Sequence, residues 1–211
     1  MQKSKPSTST RLPITVNLLR DILRVLPVAC KNMYESSLFT AAFTMAFFGF
    51  MQVGEITVTT PSLREPVVSF DDVLFDRSAG SLQVRIRGSK TDQGGKGQTI
   101  KMNSTGKALC PILSYEQFIK RRPNLPGPLF CHLNGTPLTR AQFSSILKKS
   151  LAFLQIDYGK YNTHSFRIGA ATTAAMVGCS TDVIMAAGRW KSKAVQAYVK
   201  TSHAQELPKL N

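Results

Sequence analysis

The sequence predicts a mainly helical α+β protein with one small three-stranded antiparallel sheet. Three observations support this class. Apolar residues recur at helical spacing before residue 51 and again after residue 114, alternating residues occupy the middle of the chain, and turn sequences separate the alternating segments. The 211 residues, 43% of them hydrophobic, suffice for a buried core, and no internal repeat divides them.

Two helices are predicted in the first quarter of the chain. Thr15 is expected to cap the first, VNLLRDILRVL, which should stop at Pro27. The second is expected at about residues 36–50, within the uncharged stretch 36–53. Its strictly apolar part is short and is interrupted by threonine, so the pattern favours a helix buried in a protein core over a membrane span.

Three strands are predicted at residues 68–76, 81–91 and 98–102. The turn RSAG separates the first two, and DQGGKG separates the last two. Apolar and polar side chains alternate in the second strand, as in a half-buried strand. The alternating residues are Leu82, Val84 and Ile86 against Gln83, Arg85 and Arg87.

Helices are predicted to resume after the sheet. Capping boxes of the form S/T-x-x-Q at Ser114 and Thr139 predict helices at about 115–121 and 140–154. Further helix starts are indicated at Thr163, Ser180 and Ser192.

The charge of the chain favours a polyanionic partner. Lys and Arg number 27 against 12 Asp and Glu, so the formal net charge is +15 and the pI is about 10.0. The bases are scattered singly instead of forming one basic amphipathic helix, a pattern that favours nucleic acid over a membrane surface.

The cysteines do not suggest a metal site. Four are present, far apart and without the spacing of zinc ligands, so we expect free thiols in a reducing, intracellular compartment. They are Cys30, Cys110, Cys131 and Cys179. The polar first ten residues, MQKSKPSTST, indicate a flexible tail or linker and carry no secretory signal.

A histidine and an arginine three residues apart begin the small-residue stretch THSFRIGAATTAA, residues 163–175. If Thr163 caps a helix there, His164 and Arg167 lie on one face of its first turn. Together with the free N–H groups of a helix N-terminus, they form a suitable site for phosphate. Taken alone, such a pair is more often a solvated face or a surface ion pair. Its context in the chain favours the phosphate site.

That context is GRWKSKAVQAYVK, residues 188–200. HSFR, then a short helix, Gly188 and a helix with Tyr198 resemble the C-terminal half of the tyrosine recombinase (phage integrase) catalytic domain. These sequence motifs are most similar to those of recombinases from eukaryotic mobile elements of the Crypton, DIRS-like and Ngaro-like types. The upstream phrases RLPIT and FFGF-x-x-x-GE also resemble this branch.

The resemblance extends from about residue 11 to residue 200. It implies one catalytic domain of the tyrosine recombinase fold at 11–200, between a tail or linker at 1–10 and a C-terminal tail at 201–211. The family's N-terminal domain, which closes over the far face of the DNA, has no counterpart in these residues. We therefore expect the chain to correspond to the catalytic domain alone.

The resemblance also implies a chemistry that needs neither metal nor cofactor. Tyr198 would attack a DNA phosphodiester, forming a phosphotyrosyl link and freeing a 5′ hydroxyl. Arg167 would hold the non-bridging oxygens, and His164 would bond the same phosphate and help to move the tyrosine proton. Lys90 in GSKTD matches the family's general acid, with Lys96 as the second candidate.

The remaining family position, a His or Trp nine residues before the tyrosine, is ambiguous in this sequence. Spacing favours Arg189, and chemistry favours the adjacent Trp190. Purely structural roles are alternatives for three of these residues. Tyr198 and Trp190 could pack in a core, and Lys90 could be a solvated hairpin charge.

The sequence departs from the family at Gln52, where an arginine is expected. Losing one preorganised donor to a developing charge typically costs about 2.7–4 kcal/mol, or roughly 10²–10³ in rate. We therefore expect impaired strand cleavage. Lys90 and Arg189 are the nearest bases that could supply the missing charge.

Three functional hypotheses follow. The first is the DNA-binding catalytic domain of a site-specific recombinase or integrase, impaired at Gln52. The second is a domesticated or decayed domain that binds DNA or a protein without cutting, and the third is an unrelated basic helical module. The resemblance implies double-stranded DNA as partner, a tetrameric synapse on DNA and a nuclear location. We expect a monomer off DNA, because Leu207 and Leu210 of the tail bury too little surface to hold a dimer.

Overall fold

A computed structural model describes residues 11–61, 65–87 and 97–190 as a helical body with a small sheet. Its helices are α1 (Val16–Ala29), α2 (Met33–Phe48), α3 (Val53–Ile56), α4 (Pro111–Ile119), α5 (Arg140–Phe153), α6 (Ser165–Met176) and α7 (Thr181–Gly188). Its strands are β1 (Val73–Asp76), β2 (Ser81–Ile86) and β3 (Gln98–Asn103). The predicted fold class is confirmed.

Helix α2 forms the centre of the core, where it packs against α1, α4 and α6. Asn32 caps it by accepting a hydrogen bond from the Glu35 N–H. Phe39 and Phe43 are fully buried, and burial of a side chain of this size stabilises a fold by roughly 1.5–3 kcal/mol. The uncharged stretch is therefore a core helix, as predicted. Within the described ranges, no helix is long and apolar enough to cross a membrane.

The sheet has the order β1-β2-β3 and is antiparallel throughout. Val84 of β2 lies opposite Val73 of β1 and Ile100 of β3. The apolar residues of β2 face the core, as the alternation predicted. The first strand begins later than predicted because a single 3-10 turn, Phe70–Asp72, occupies its expected start.

Two predicted helix boundaries are wrong. Pro27 lies inside α1, which continues to Ala29; in a last turn, a proline removes only one backbone donor. The predicted capping box at Ser114 is absent, because α4 begins at Pro111 and Ser114 donates its hydroxyl to the Cys110 carbonyl. A proline at the first helical position is preorganised for a helix start.

The starts of α1, α5 and α7 agree with the sequence. Thr15 accepts from the Leu18 N–H, Thr139 forms a capping box with Gln142, and Ser180 accepts from the Val183 N–H. The predicted helix start at Ser192 lies outside the described residues.

Candidate functional site

A cavity of about 490 Å³ opens where the first residues of α5 and α6 meet the α2–α3 turn and the end of α7. It brings together residues that are far apart in the sequence. They are Met51, Gln52, Val53, Gly54, Arg140, Thr163, His164, Arg167, Arg189 and Trp190. Five of the seven predicted site residues therefore share one cavity. Lys90 and Tyr198, with the second candidate Lys96, lie outside the described residues.

The start of α6 differs from the prediction that Thr163 caps it. His164 occupies the N-cap position, and the Asn162 side chain accepts its N–H at 2.9 Å. The Ser165 hydroxyl in turn accepts the Asn162 N–H at 3.1 Å. These two hydrogen bonds are found where a threonine cap was predicted, and His164 and Arg167 still line the same cavity.

Arg167 is buried, with 5% of its surface exposed. Its guanidinium donates to the Phe50 carbonyl at 3.2 Å and to the Gly188 carbonyl. The same group lies over the Trp190 ring, 4.4 Å from the ring centroid. These contacts fix the plane of the guanidinium, and the surrounding low dielectric strengthens its field.

Arg189 forms an ion pair with the buried Glu55, with 2.9 Å between Nη2 and Oε2. The same Nη2 also donates to the Phe50 carbonyl at 3.1 Å. The charge of Arg189 is therefore largely offset, which weakens the expectation that it supplies the charge missing at position 52. Nη1 of Arg189 and Oε1 of Glu55 are buried and have no hydrogen-bond partner in the described structure.

Backbone strain is present at the same place. Phe50 has a φ of 48° and Arg189 a φ of 57°, in the left-handed region that non-glycine residues rarely adopt. Such conformations cost on the order of 1–3 kcal/mol each, and they persist only where the surroundings hold them. Here the carbonyl of Phe50 accepts hydrogen bonds from two arginines. The Phe50 ring packs edge-on against the Trp190 ring, with 6.0 Å between the ring centroids.

His164 lies at the mouth of the cavity and is exposed to solvent. Partial desolvation, followed by the charge of Arg167, lowers the pKa of its imidazole below the usual value. Water screens this effect because the ring is exposed. The imidazole of the free protein is therefore neutral near pH 7, and can accept a proton when an anion binds beside it.

Gln52 is exposed and precedes α3. Its backbone N–H donates to Oε2 of Glu55 at 2.8 Å, the same oxygen that pairs with Arg189. The backbone at position 52 is thus connected to the buried ion pair, while its uncharged side chain lines the cavity.

A second cavity, of about 560 Å³, lies next to the first and shares Arg189 and Trp190 with it. Its other walls come from the end of α2, from β3 and from α7. The sheet therefore lies beside the arginine cluster. The loop between β2 and β3, which contains Lys90, belongs to the undescribed residues.

Sequence reasoning missed two residues of this site. The buried ion pair of Glu55 with Arg189 was not predicted, because the two residues are far apart in the sequence. Arg140 lines the cavity from the start of α5, and no local pattern indicates that position.

Known structures share this arrangement of helices and sheet. The XerH site-specific recombinase bound to palindromic difH substrate matches 93% of this chain over 51% of its own, with a TM-score of 0.66 and 14% identity. A lambda integrase dimer bound to a COC′ core site matches 99% of this chain over 52% of its own, with a TM-score of 0.66 and 14% identity. The fold is that of the tyrosine recombinase catalytic domain. XerA recombinase also has it, at a TM-score of 0.64 and 12% identity, over 99% of this chain and 68% of that one.

Identities this low establish the shared recombinase fold alone. The chain spans about half the length of the XerH and lambda integrase chains that it matches. No protein-family model matches the sequence, and no curated protein matches it either.

Proposed function

We propose that this chain is the DNA-binding catalytic domain of a site-specific tyrosine recombinase or integrase. The observation that carries the proposal is the shared cavity, in which Gln52, His164 and Arg167 meet Arg189 and Trp190 within the recombinase fold. The XerH and lambda integrase structures that share the fold are complexes with DNA. The net charge of +15 suits the same partner.

The proposed chemistry is transfer of a phosphodiester to tyrosine. The Tyr198 hydroxyl loses its proton with the help of His164 as its oxygen attacks phosphorus. The bond to the 5′ oxygen breaks, and the 5′ hydroxyl leaves with a proton from Lys90 or Lys96. Arg167 holds the non-bridging oxygens, and Trp190 keeps its guanidinium in plane. His164 bonds the same phosphate, and Arg189 orders the α2–α3 turn through Glu55. Reversal by a partner strand's hydroxyl completes recombination without loss of bond energy.

Duplex binding is the first test. The chain should bind a duplex of about 25 base pairs with little sequence preference, and affinity should fall steeply between about 50 and 200 mM salt as counterions are released. Fluorescence anisotropy measures this. Affinity that stays level over that range contradicts the proposal.

Covalent capture is the second test, and it does not require a known target site. The chain is incubated with a randomised duplex library carrying nicks, and protein-linked DNA is recovered after denaturation and sequenced. Tyr198→Phe should abolish the adduct, whereas Tyr158→Phe, at an exposed tyrosine outside the cavity, should leave it unchanged. Adducts formed in equal, measurable yield by these two variants would exclude Tyr198 as nucleophile.

A second candidate function is a decayed or domesticated domain that binds DNA without cutting it. The neutral side chain of Gln52 favours this alternative, because two guanidinium groups stabilise a pentacoordinate phosphate better than one. Salt-dependent duplex binding with no adduct under any condition would support it. Binding of a protein and not DNA would point to a protein-interaction domain.

The mobile-element origin, the nuclear location and assembly on DNA are further parts of this proposal, supported by the phrases HSFRIGAAT and GRWKS and by the charge. We expect a monomer in free solution and association only on DNA. Light scattering of the free chain, with and without residues 201–211, tests this. A stable dimer that disappears on truncation contradicts it.

A further inference from the structure

Arg140 is the first residue of α5 and lines the same cavity as Gln52. Its backbone N–H donates to the Val58 carbonyl at 2.8 Å. A parallel bridge between Val58 and Thr139 holds the start of α5 beside the segment that follows α3. The capping box of Thr139 fixes where the helix begins. The backbone of Arg140 is therefore anchored, while its side chain is exposed.

The guanidinium of Arg140 occupies space that is open because residue 54 is a glycine. A Cβ atom on residue 54 would lie 2.7 Å from Nη2 of Arg140, closer than real Cβ contacts. The arginine head group thus lies directly against the α3 backbone, two residues after Gln52. Arg140 therefore places a positive charge on the wall of the same cavity that Gln52 lines without a charge.

The charge of Arg140 has no partner within the part of the chain that the structure describes: its side chain forms no hydrogen bond or ion pair there. The first turn of α5 contains no acidic residue. The other two arginines of the cavity differ, because Arg189 pairs with Glu55 and Arg167 donates to backbone carbonyls. Arg140 can therefore give its donors to a ligand without breaking an existing bond.

We propose that Arg140 supplies part of the positive charge that Gln52 lacks, by donating hydrogen bonds to a non-bridging oxygen of the phosphate that Arg167 holds. This inference rests on the proposed function, since the phosphate is that of the DNA substrate. The planar guanidinium fork matches two oxygens of a phosphate, and the fixed charge suits an increase of negative charge at phosphorus. Arg140 is thus a catalytic residue of this chain.

Inorganic phosphate tests the contact independently of DNA. In an NMR titration of the full chain, the Nε–Hε signals of Arg140 and Arg167 should shift together with one affinity. Arg140→Gln should weaken phosphate binding about tenfold, as loss of a charged hydrogen bond requires. Lys148→Gln removes one exposed charge from the same helix outside the cavity and should change the affinity less than about twofold.

Gly54→Ala provides a variant that keeps the charge and displaces the guanidinium. The added methyl group meets the flexible end of Arg140, so stability should be unchanged while phosphate affinity falls in the same direction as in Arg140→Gln. An unchanged phosphate affinity in both variants overturns the proposal.

Adduct formation tests compensation. Arg140→Gln should lower the adduct yield about tenfold in the chain as it stands, and by less than about threefold in the Gln52→Arg background. An equal loss in both backgrounds overturns the compensating role. If no variant forms an adduct, the proposed strand cleavage fails, and the phosphate titration still decides whether Arg140 contacts the anion.

Discussion

At position 52 a neutral side chain lines a cavity that three arginines also line: Arg140, Arg167 and Arg189. The buried Glu55 offsets one of these charges. A pentacoordinate phosphate carries more negative charge than the starting diester, so each further cation lowers the barrier more than it tightens substrate binding. The charges of the side chains that line the cavity therefore determine the rate of the proposed reaction. The packing of the helices determines whether these side chains meet.

Gln52→Arg should raise adduct formation about 100-fold, since it restores a preorganised donor. Gln117→Arg adds the same charge at an exposed position of α4, outside the cavity, and should raise it less than about threefold. Denaturing gels of the covalent complex measure both variants on DNA recovered from the library selection. Equal cleavage by the chain as it stands and by Gln52→Arg would mean that the site already has all the charge it needs.

His164 should make phosphate binding depend on pH. Its pKa is lowered in the free protein, by partial desolvation and by Arg167, and a bound phosphate beside it raises that pKa again. Binding then takes up a proton, so affinity should rise as pH falls from about 7.5 to 5.5, around the ordinary histidine pKa. His164→Gln should flatten this dependence in a titration with sulfate, an anion whose charge does not change over this pH range, whereas His132→Gln, outside the cavity, should not. An anion affinity that decreases as the pH is lowered would contradict this prediction.

At the scale of elements, the loop after α4 depends on one buried charge. Arg122 has 8% of its surface exposed, and its guanidinium lies over the Phe70 ring at 4.7 Å. It donates to the backbone carbonyls of Pro123, Leu125, Pro128 and Leu129. These bonds satisfy carbonyls that no helix or strand pairs, and they hold the loop that leads towards α5.

Arg122→Met should lower the free energy of unfolding by about 2–4 kcal/mol, because several buried carbonyls lose their donor. Arg121→Met is the matched control, since Arg121 is exposed and its guanidinium donates to the Gln117 carbonyl of its own helix end; its effect should stay within about 0.5 kcal/mol. Urea unfolding followed by circular dichroism compares the two. Similar midpoints would show that the loop does not need this donor.

For the whole molecule, the first described segment connects the scaffold to the site. Leu12 N–H donates to the Lys160 carbonyl and Ile14 N–H to the Ser165 carbonyl, both at 3.0 Å. Ile14 is fully buried and lies against Gly169, where a Cβ atom would be 1.8 Å from the Ile14 carbonyl oxygen. This close approach sets the position of α6, and with it that of Arg167.

Gly169→Ala should destabilise the protein by about 2 kcal/mol or more, because the methyl group meets backbone that cannot move aside. Gly54→Ala, which meets only a flexible side-chain end, should leave the melting temperature nearly unchanged. Calorimetry of the two variants tests the difference. A stable Gly169→Ala variant would mean that the N-terminal segment can detach from α6 at little cost.

The sequence by itself determined the fold class, the core role of α2 and the starts of α1, α5 and α7. These features depend on local patterns: threonine and serine caps, an uncharged helical stretch and strict alternation in β2. Where two local signals competed, sequence reasoning chose wrongly. At Ser114 the capping pattern yielded to a proline three residues earlier, and at Thr163 it yielded to Asn162.

Only the tertiary structure decided how the site is assembled. Packing of α2, α5, α6 and α7 brings Gln52, Arg140, Arg167 and Arg189 to one cavity. It also pairs Arg189 with Glu55, which offsets a charge that the sequence suggested for the role of compensating Gln52. Arg140 is therefore the candidate for that role. The physical reason is range: a cap or an alternation involves neighbours in the chain, whereas an ion pair or a close glycine contact depends on segments that meet only after folding.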